Sequence, residues 1–356
     1  MSRTLALPAL AALVLLAGCA TPPPAATETA GSEAPEQALE CAQMVTNSGG
    51  LNDRSFNETS WAGMERAQEE LGIEANVLVS TSESDLAPNV QAAVDTGCGF
   101  VLTVGFELAA ATEEQAADNP DVQFAIVDEI VEGPNVRSIV FDTAQAAYLA
   151  GYAAASVSET GIVATFGGGN QPPVTLFMDG FAAGIEAHNE AKGTEVRLLG
   201  WDPETQDGTF TGDFENVQLG QTQTQAFIAQ GADVILPVAG QVGEGAFRAS
   251  LDAGGTALVL WVDNDGYDTL PEEFRPLLLT SVLKNTEDAV VGAVSDALDG
   301  TLSDEPIIGT LENGGVDIAP FHDLDARVSD ETKAELEALR EQIIAGEITV
   351  ESPSSP

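Results

Sequence analysis

From residue 40 onward, short apolar runs alternate with longer segments whose apolar positions recur at helical spacing. The runs predict strands at 42–46, 76–80, 100–104, 123–128, 137–141, 161–166, 195–200, 233–238, 257–263 and 278–283. The segments between them predict helices near 56–71, 86–96, 107–118, 143–157, 174–191, 216–230, 243–253 and 285–299. Strands and helices alternating through short loops predict parallel sheets covered by helices on both faces, the α/β class. So many strands overfill one open sheet, and the pattern divides into two lobes. "VFDTAQAAYLAGYAAA" at 140–155, where a strand ends at Asp142 and an Ala/Gly-rich helix begins, marks one crossing between them. Lys284–Asn285 marks the return. "GTLENGGVDIAPF" at 309–321 reads as a late hairpin, and 330–346 as an amphipathic helix carrying Leu336, Leu339, Ile343 and Ile344. The first lobe is then 40–142 plus 285–308, and the second 143–284 plus 309–350 with its closing helix.

The N-terminal pattern differs. Arg3 followed by "LALPALAALVLLA" has the charge and the short apolar stretch of a signal peptide over residues 1–18, too short for a comfortable membrane span. Leu16-Ala17-Gly18-Cys19 matches the bacterial lipobox, in which the cysteine is lipidated and becomes the mature N-terminus. Residues 19–39, rich in Pro, Thr, Ala and Glu, read as a disordered tether. The expected location is the extracytoplasmic face of the cell membrane, held by lipid on Cys19.

Charge narrows the partners. With 57 acidic against 12 basic residues the chain carries −45, a field that repels nucleic acid and anionic headgroups. It is spread along the chain and reads as a solubility adaptation. Cys41 and Cys98 remain after Cys19, in a compartment that permits disulfides. They stand at the N-terminal ends of the first and third strands, neighbours in a 2-1-3 order. A Cys41–Cys98 bridge at the bottom of the sheet follows, with two buried thiols as the alternative.

Enzyme signatures are missing from the sequence: no G-x-S-x-G, H-E-x-x-H or G-x-x-x-x-G-K-[ST] occurs. The two histidines, His188 and His322, read as surface residues. No metal ligand set and no cofactor loop stands out; "GQVGEG" at 240–245 has the wrong spacing for a dinucleotide turn. The strand ends are more informative, because doubly wound sheets bind ligands beyond the carboxyl ends of their strands. There lie "GGLNDRSFNETSWAG" at 49–63, Gly105-Phe106, Asp128-Glu129, "GGGNQPP" at 167–173, Ala239-Gly240, Asp263-Asn264-Asp265 and Lys284. Ser55 and Glu58 have the S-x-x-E spacing of a capping box, which puts Phe56 in the first helical turn. Glycines admit a ligand close to backbone, carboxylates and amides offer hydrogen bonds, and Phe56 and Phe106 offer ring faces. Lys284 is one of three lysines and ends an apolar strand. Paired with Asp263 one strand away it would balance charge while both hydrogen-bond a ligand. Asp263 could accept two bonds from a vicinal diol, the geometry of a ribose.

Together "SGGLNDRSFNETSWAG", "AYLAGYAAA", "GGGNQPPVTLFMDGFAAG", "GADVILPVAGQVGEGAF" and "LLTSVLKNTEDAV" resemble the basic membrane protein family. These are lipid-anchored substrate-binding proteins of ABC importers that include purine nucleoside receptors. The resemblance runs over residues 42–350. It implies a type I periplasmic-binding fold, two Rossmann-like lobes joined by a three-segment hinge with the ligand between them, and partnership with an ABC permease and its ATPase. It also implies that Phe56 stacks on a base, Asp53 and Asn57 line the mouth, Asp128 meets the base edge, and Gly240, Asp263 and Lys284 hold the ribose. The chain departs from the family pattern after "GADVI", where Leu236 stands in place of a frequent aromatic, and after the Gly pair of "GGGNQPP". The second stacking ring then falls to Phe177 or Phe106. A sugar or other small solute, bound or sensed by the same fold, is the alternative ligand class.

Overall fold

A computed structural model describes residues 39–356. The signal segment 1–18, Cys19 and the tether up to residue 38 lie outside the described residues. Leu39, at the expected end of the tether, is buried.

The chain begins β1 (Cys41–Val45), α1 (Phe56–Leu71), β2 (Glu74–Leu78), α2 (Glu83–Asp95), β3 (Phe100–Val104), α3 (Ala109–Asp118), β4 (Gln123–Val127) and β5 (Val136–Phe141). It continues through α4 (Thr143–Val157), β6 (Ile162–Gly167), α5 (Pro172–Lys192), β7 (Arg197–Leu199), β8 (Trp201–Asp202), β9 (Asp207–Gly208), α6 (Val217–Ala229), β10 (Val234–Val238), α7 (Glu244–Asp252), β11 (Leu258–Asp263), α8 (Gly266–Thr269) and β12 (Leu278–Lys284). Last come α9 (Thr286–Leu298), β13 (Ile307–Gly309), β14 (Val316–Ile318) and α10 (Asp330–Ile344).

Two six-stranded sheets result, ordered β13-β5-β4-β3-β1-β2 and β14-β12-β11-β10-β6-β7. The first is parallel throughout, and the second parallel except for β14. Strands such as "FVLTV" and "VILPV" are buried at every position because helices cover both faces, which is why they read as continuous apolar runs. Pro237 lies inside β10, a central strand, where a missing N–H would break a ladder. Pairing of β10 with β11 covers only Val234 and Ile235, so Pro237 falls where that ladder has already stopped. Beyond it the tip of β11, which carries Asp263, is bound through β12 instead.

The two sheets repeat one plan, so strand tips in corresponding places face each other. Asp128 follows β4 and Asp263 ends β11, and both take left-handed backbone, φ +64 and +71. Asp142 begins α4 after β5, and Asn285 begins α9 after β12.

The chain crosses between the sheets at Phe141–Thr143, Lys284–Thr286 and Gly309–Val316. The crossings are tied together: Asp142 N–H donates to Gly309 O and Asn285 N–H to Gly315 O, each at 2.8 Å. The hairpin expected at 309–321 does not form. Its arms part, β13 joining β5 in one sheet and β14 joining β12 in the other, because the segment between them is itself a crossing.

The Ala/Gly-rich helix α4 packs backbone to backbone on α5. A Cβ on Gly184 would stand 1.9 Å from Tyr148 O, so only glycine permits the approach. Cys41 and Cys98 are joined in a disulfide between the start of β1 and the turn before β3, at the sheet end opposite the facing tips. His188, expected at the surface, is buried in α5 with its ring edge-on to Tyr152 at 5.1 Å. Among the described residues no helix is long and apolar enough to cross a membrane.

Candidate functional site

Sequence reasoning places binding groups at the carboxyl ends of strands, and that is where both sheets leave a cleft between their tips. It holds about 660 Å³ of empty space, a figure that includes its opening to solvent. Asp53, Phe56, Phe106, Asp128, Phe177, Gly240, Asp263 and Lys284 line it, with Asn47, Gly105, Glu107 and Phe214 among their neighbours. Of the residues singled out from the sequence, Asn57 does not reach the wall. It stands behind Asp53, donating from Nδ2 to Asp53 Oδ2 at 3.0 Å and Asn47 Oδ1 at 2.7 Å.

The loop between β1 and α1 folds differently from the capping-box expectation. Ser55 makes no capping bond with its own helix. The Asp53 carboxylate takes that place, Oδ1 accepting the N–H groups of Ser55 and Glu58 at 3.1 Å and Oδ2 that of Asn57 at 2.8 Å. Glu58 turns to the Arg54 N–H at 3.1 Å. Ser55 Oγ is thereby released to donate across the cleft to Asp263 Oδ2. Burial pushes the Asp53 carboxyl up to about 6, against the pull of its three backbone donors, and the Asp263 charge adds to the rise.

Lys284 sits where the sheets meet. Its Nζ lies 2.5 Å from Asp128 Oδ2 of the first lobe and 3.4 Å from Asp263 Oδ1 of the second, with Lys284 and Asp263 buried and Asp128 nearly so. The sequence suggested the Asp263 partner; the shorter contact to Asp128 was not foreseen. Burial works against the ammonium, but the two carboxylates outweigh it and hold Lys284 above its ordinary value. The site therefore keeps a charged lysine. Around it stand the rings of Phe56, Phe177 and Phe141, centred 5.1, 5.3 and 5.9 Å from Nζ, close enough for cation–π attraction.

Phe214 is the aromatic wall residue that sequence reasoning missed. It belongs to the irregular segment between β9 and α6, where no periodicity marks it. Its ring lies on Gly168, where a Cβ would come within 2.3 Å of Cε1. The run Gly167-Gly168-Gly169 was the available signal: consecutive glycines at a strand tip leave room that some ring must fill.

Further bonds join the lobes outside the wall. Asn264 Nδ2 donates to Arg54 O at 2.9 Å and to Thr59 Oγ1 at 3.1 Å. Asp265, beside Asp263 in sequence, turns away to His322 at 2.7 Å. The Asp-Asn-Asp tripeptide thus sends its two carboxylates in different directions. Among the described residues no three His, Cys, Asp or Glu side chains are grouped to hold a metal. The arrangement suits a neutral ring-bearing molecule with hydroxyls: ring faces, a charged lysine shared by two acids, and backbone-held carboxylates.

Residues 42–354 match the family model described as ABC transporter substrate-binding protein PnrA-like. The chain is 30% identical over 361 residues to the ABC transporter nucleoside-binding protein BmpA of Lactococcus lactis subsp. cremoris, covering 97% of each chain. It is also 30% identical over 278 residues to an uncharacterized lipoprotein of Pyrococcus horikoshii, covering 75% of this chain and 65% of that one. Among solved structures, an ABC transporter solute-binding protein from Aeropyrum pernix K1 superimposes with a TM-score of 0.76 at 25% identity, over 87% of this chain and 92% of that one. The fold is the type I periplasmic-binding fold.

Proposed function

This chain belongs to the Bmp family of PnrA-like ABC transporter substrate-binding proteins, and from that premise we propose that it captures a purine nucleoside between its lobes for import. One observation carries the reading: ring faces and the Lys284–Asp263 pair come together in a single cleft between the sheet tips. Phe56 from the first lobe, with Phe214 or Phe177 from the second, supplies faces for the base. Asp263 accepts from the ribose hydroxyls, taking the place of the Ser55 hydroxyl on Oδ2, while Lys284 donates to a ribose oxygen. Gly240 brings backbone close to the sugar, Asp128 keeps the ammonium in place, and Asp53 fixes the loop that carries Phe56.

Stacking on one ring is worth about 1–3 kcal/mol, and each charge-assisted bond to a hydroxyl about 1.5–3 kcal/mol. A ligand touching both lobes gathers these terms only when the lobes are together, so occupancy favours closure over opening. Nothing is broken or formed; the protein binds and releases. The closed form docks on a permease whose ATPase drives import, and lipid on Cys19 keeps the protein at the extracytoplasmic face of the membrane.

Calorimetric titration with a panel of nucleosides and free sugars tests the reading, together with native mass spectrometry of protein as purified. Micromolar or tighter binding of a purine nucleoside is expected. A protein that takes sugars and ignores nucleosides would refute it in favour of a sugar receptor, and release of free base from a nucleoside would refute the non-catalytic role.

A further inference from the structure

On the cleft wall, Asp53, Asp128, Asp263 and Lys284 spend their hydrogen-bonding capacity on backbone donors, on Ser55 and on one another. Glu107 does not. It follows Phe106 in the short 3-10 turn at the tip of β3 and lines the cleft. Its Oε2 is closed off from solvent and completes no hydrogen bond of ordinary geometry, although its own N–H and the Asn47 amide stand close enough to favour its ionised form. A buried acceptor left without a full hydrogen bond is unfavourable, so a group of this kind in a binding cleft points to something outside the chain. Gly105 makes the arrangement possible, since a Cβ there would come within 2.6 Å of that same oxygen.

Position adds to the case. In the first sheet β3 and β1 lie one and two strands beyond β4, whose tip carries Asp128 beside Lys284. At roughly 4.8 Å per strand, Glu107 and its neighbour Asn47 stand about 5–10 Å along the cleft from the ammonium. That is the reach from a ribose to the far edge of its base. Asn47 Oδ1 is already engaged by Gly49 N–H at 3.0 Å and Asn57 Nδ2 at 2.7 Å, which leaves its Nδ2 as the donor beside Glu107. Burial raises the Glu107 carboxyl above its ordinary value, its own backbone N–H pulls it down, and the Asp128 charge adds to the rise. N–H donors from a ligand would offset that burial.

We infer that Glu107 reads the hydrogen-bonding edge of the base and selects purines with N–H donors there, guanosine above all. Guanine presents N1–H and its 2-amino group side by side, a match for both oxygens of one carboxylate. Hypoxanthine presents N1–H alone. Adenine presents the N1 lone pair, which a carboxylate repels. The inference rests on the nucleoside reading above and names the member of that class the cleft prefers.

The test is calorimetric titration of the full chain with guanosine, inosine and adenosine, for the wild type, Glu107→Gln and Glu107→Asp. Wild type is expected to bind guanosine ~10-fold or more tighter than adenosine, with inosine between. Glu107→Gln should weaken guanosine ~10–100-fold and change adenosine less than ~3-fold. Glu107→Asp, which keeps the charge but withdraws it by one methylene, should fall between. A guanosine-to-adenosine ratio unchanged in both variants, or a wild-type preference for adenosine, overturns the inference and leaves the nucleoside reading standing. Absence of any nucleoside binding by wild type overturns both.

Discussion

Replacing Lys284 with methionine keeps most of the side chain's length and removes the ammonium that Asp128 and Asp263 share. At an effective dielectric of ~20, contacts of 2.5 and 3.4 Å are worth roughly 7 and 5 kcal/mol before any desolvation. Burying three charges consumes most of that. Removing one partner of such a group nevertheless costs about 3–5 kcal/mol, because the remaining charges stay buried without a counter-ion. With unfolding entropy of ~2 cal/mol/K per residue over roughly 320 residues, Lys284→Met should melt about 5–8 °C below wild type at pH 7.5. The loss should depend on pH. In wild type the lysine's raised value keeps its contribution intact throughout the neutral range and loses it only in strong alkali. Burial already holds the Asp128 carboxyl above its ordinary value while Lys284 pulls it down; without the ammonium that rise grows, so the penalty is full at pH 7.5 and shrinks as Asp128 takes up a proton on acidification. Calorimetric melts at pH 7.5 and pH 5 measure this. A shift below 1 °C, or an equal shift at both, would show that the ammonium does not balance the two acids. Adding Asp128→Asn to Lys284→Met should restore part of the loss.

Asp53 gives a second pH signature. Its folded value of about 6 exceeds the ordinary 3.8 of an aspartate, so the folded state holds its proton between those limits. Wild-type stability relative to Asp53→Asn should therefore be highest near pH 4 and fall as pH rises to 6, by up to ~1.4 kcal/mol per pH unit; a difference that stays flat in urea titrations from pH 4 to 7 contradicts the assignment. Phe214→Ala should weaken purine nucleoside binding ~5–150-fold, the worth of one stacking face, as read by calorimetry; an unchanged affinity removes Phe214 from the base site. Replacing Cys41 and Cys98 by alanine opens a loop with a sequence separation of 57 and should cost about 4 kcal/mol. Because the bridge lies at the far end of the sheet from the cleft, ligand affinity in the folded variant should change less than ~2-fold, and a larger loss would mean that the bridge shapes the site.

The strands and helices were legible because each strand of a doubly covered sheet is buried along nearly its whole length and so is mostly apolar, as "FVLTV" and "LLTSVLK" are. Their limits were less so: β2 spans Glu74–Leu78, earlier than the run 76–80 suggests, since Val79 continues the apolar run past the last ladder pair. The late hairpin failed for a topological reason. Two short arms around "ENGG" look the same locally whether they pair with each other or part to different sheets. Ser55 and Glu58 have the spacing of a local cap, but Asp53 supplies more acceptors to the same N–H groups, and tertiary structure claims the serine. Lys284 was conspicuous through scarcity. Its contact with Asp128 was hidden because it depends on two lobes meeting, which no stretch of sequence encodes. Phe214 and Glu107 carry no periodic signal, and their significance comes from what surrounds them in space.

Lys284 is the final residue of β12, and Asn285 beside it begins α9 in the other lobe. On the proposed capture of a ligand between the lobes, the group that grips is thus mounted on the axle about which the halves turn. Any rotation of one half against the other must displace the ammonium relative to at least one of its acids, and any cargo that reorganises those acids exerts torque at the pivot directly. Detection and motion need no relay between them, since one side chain takes part in both.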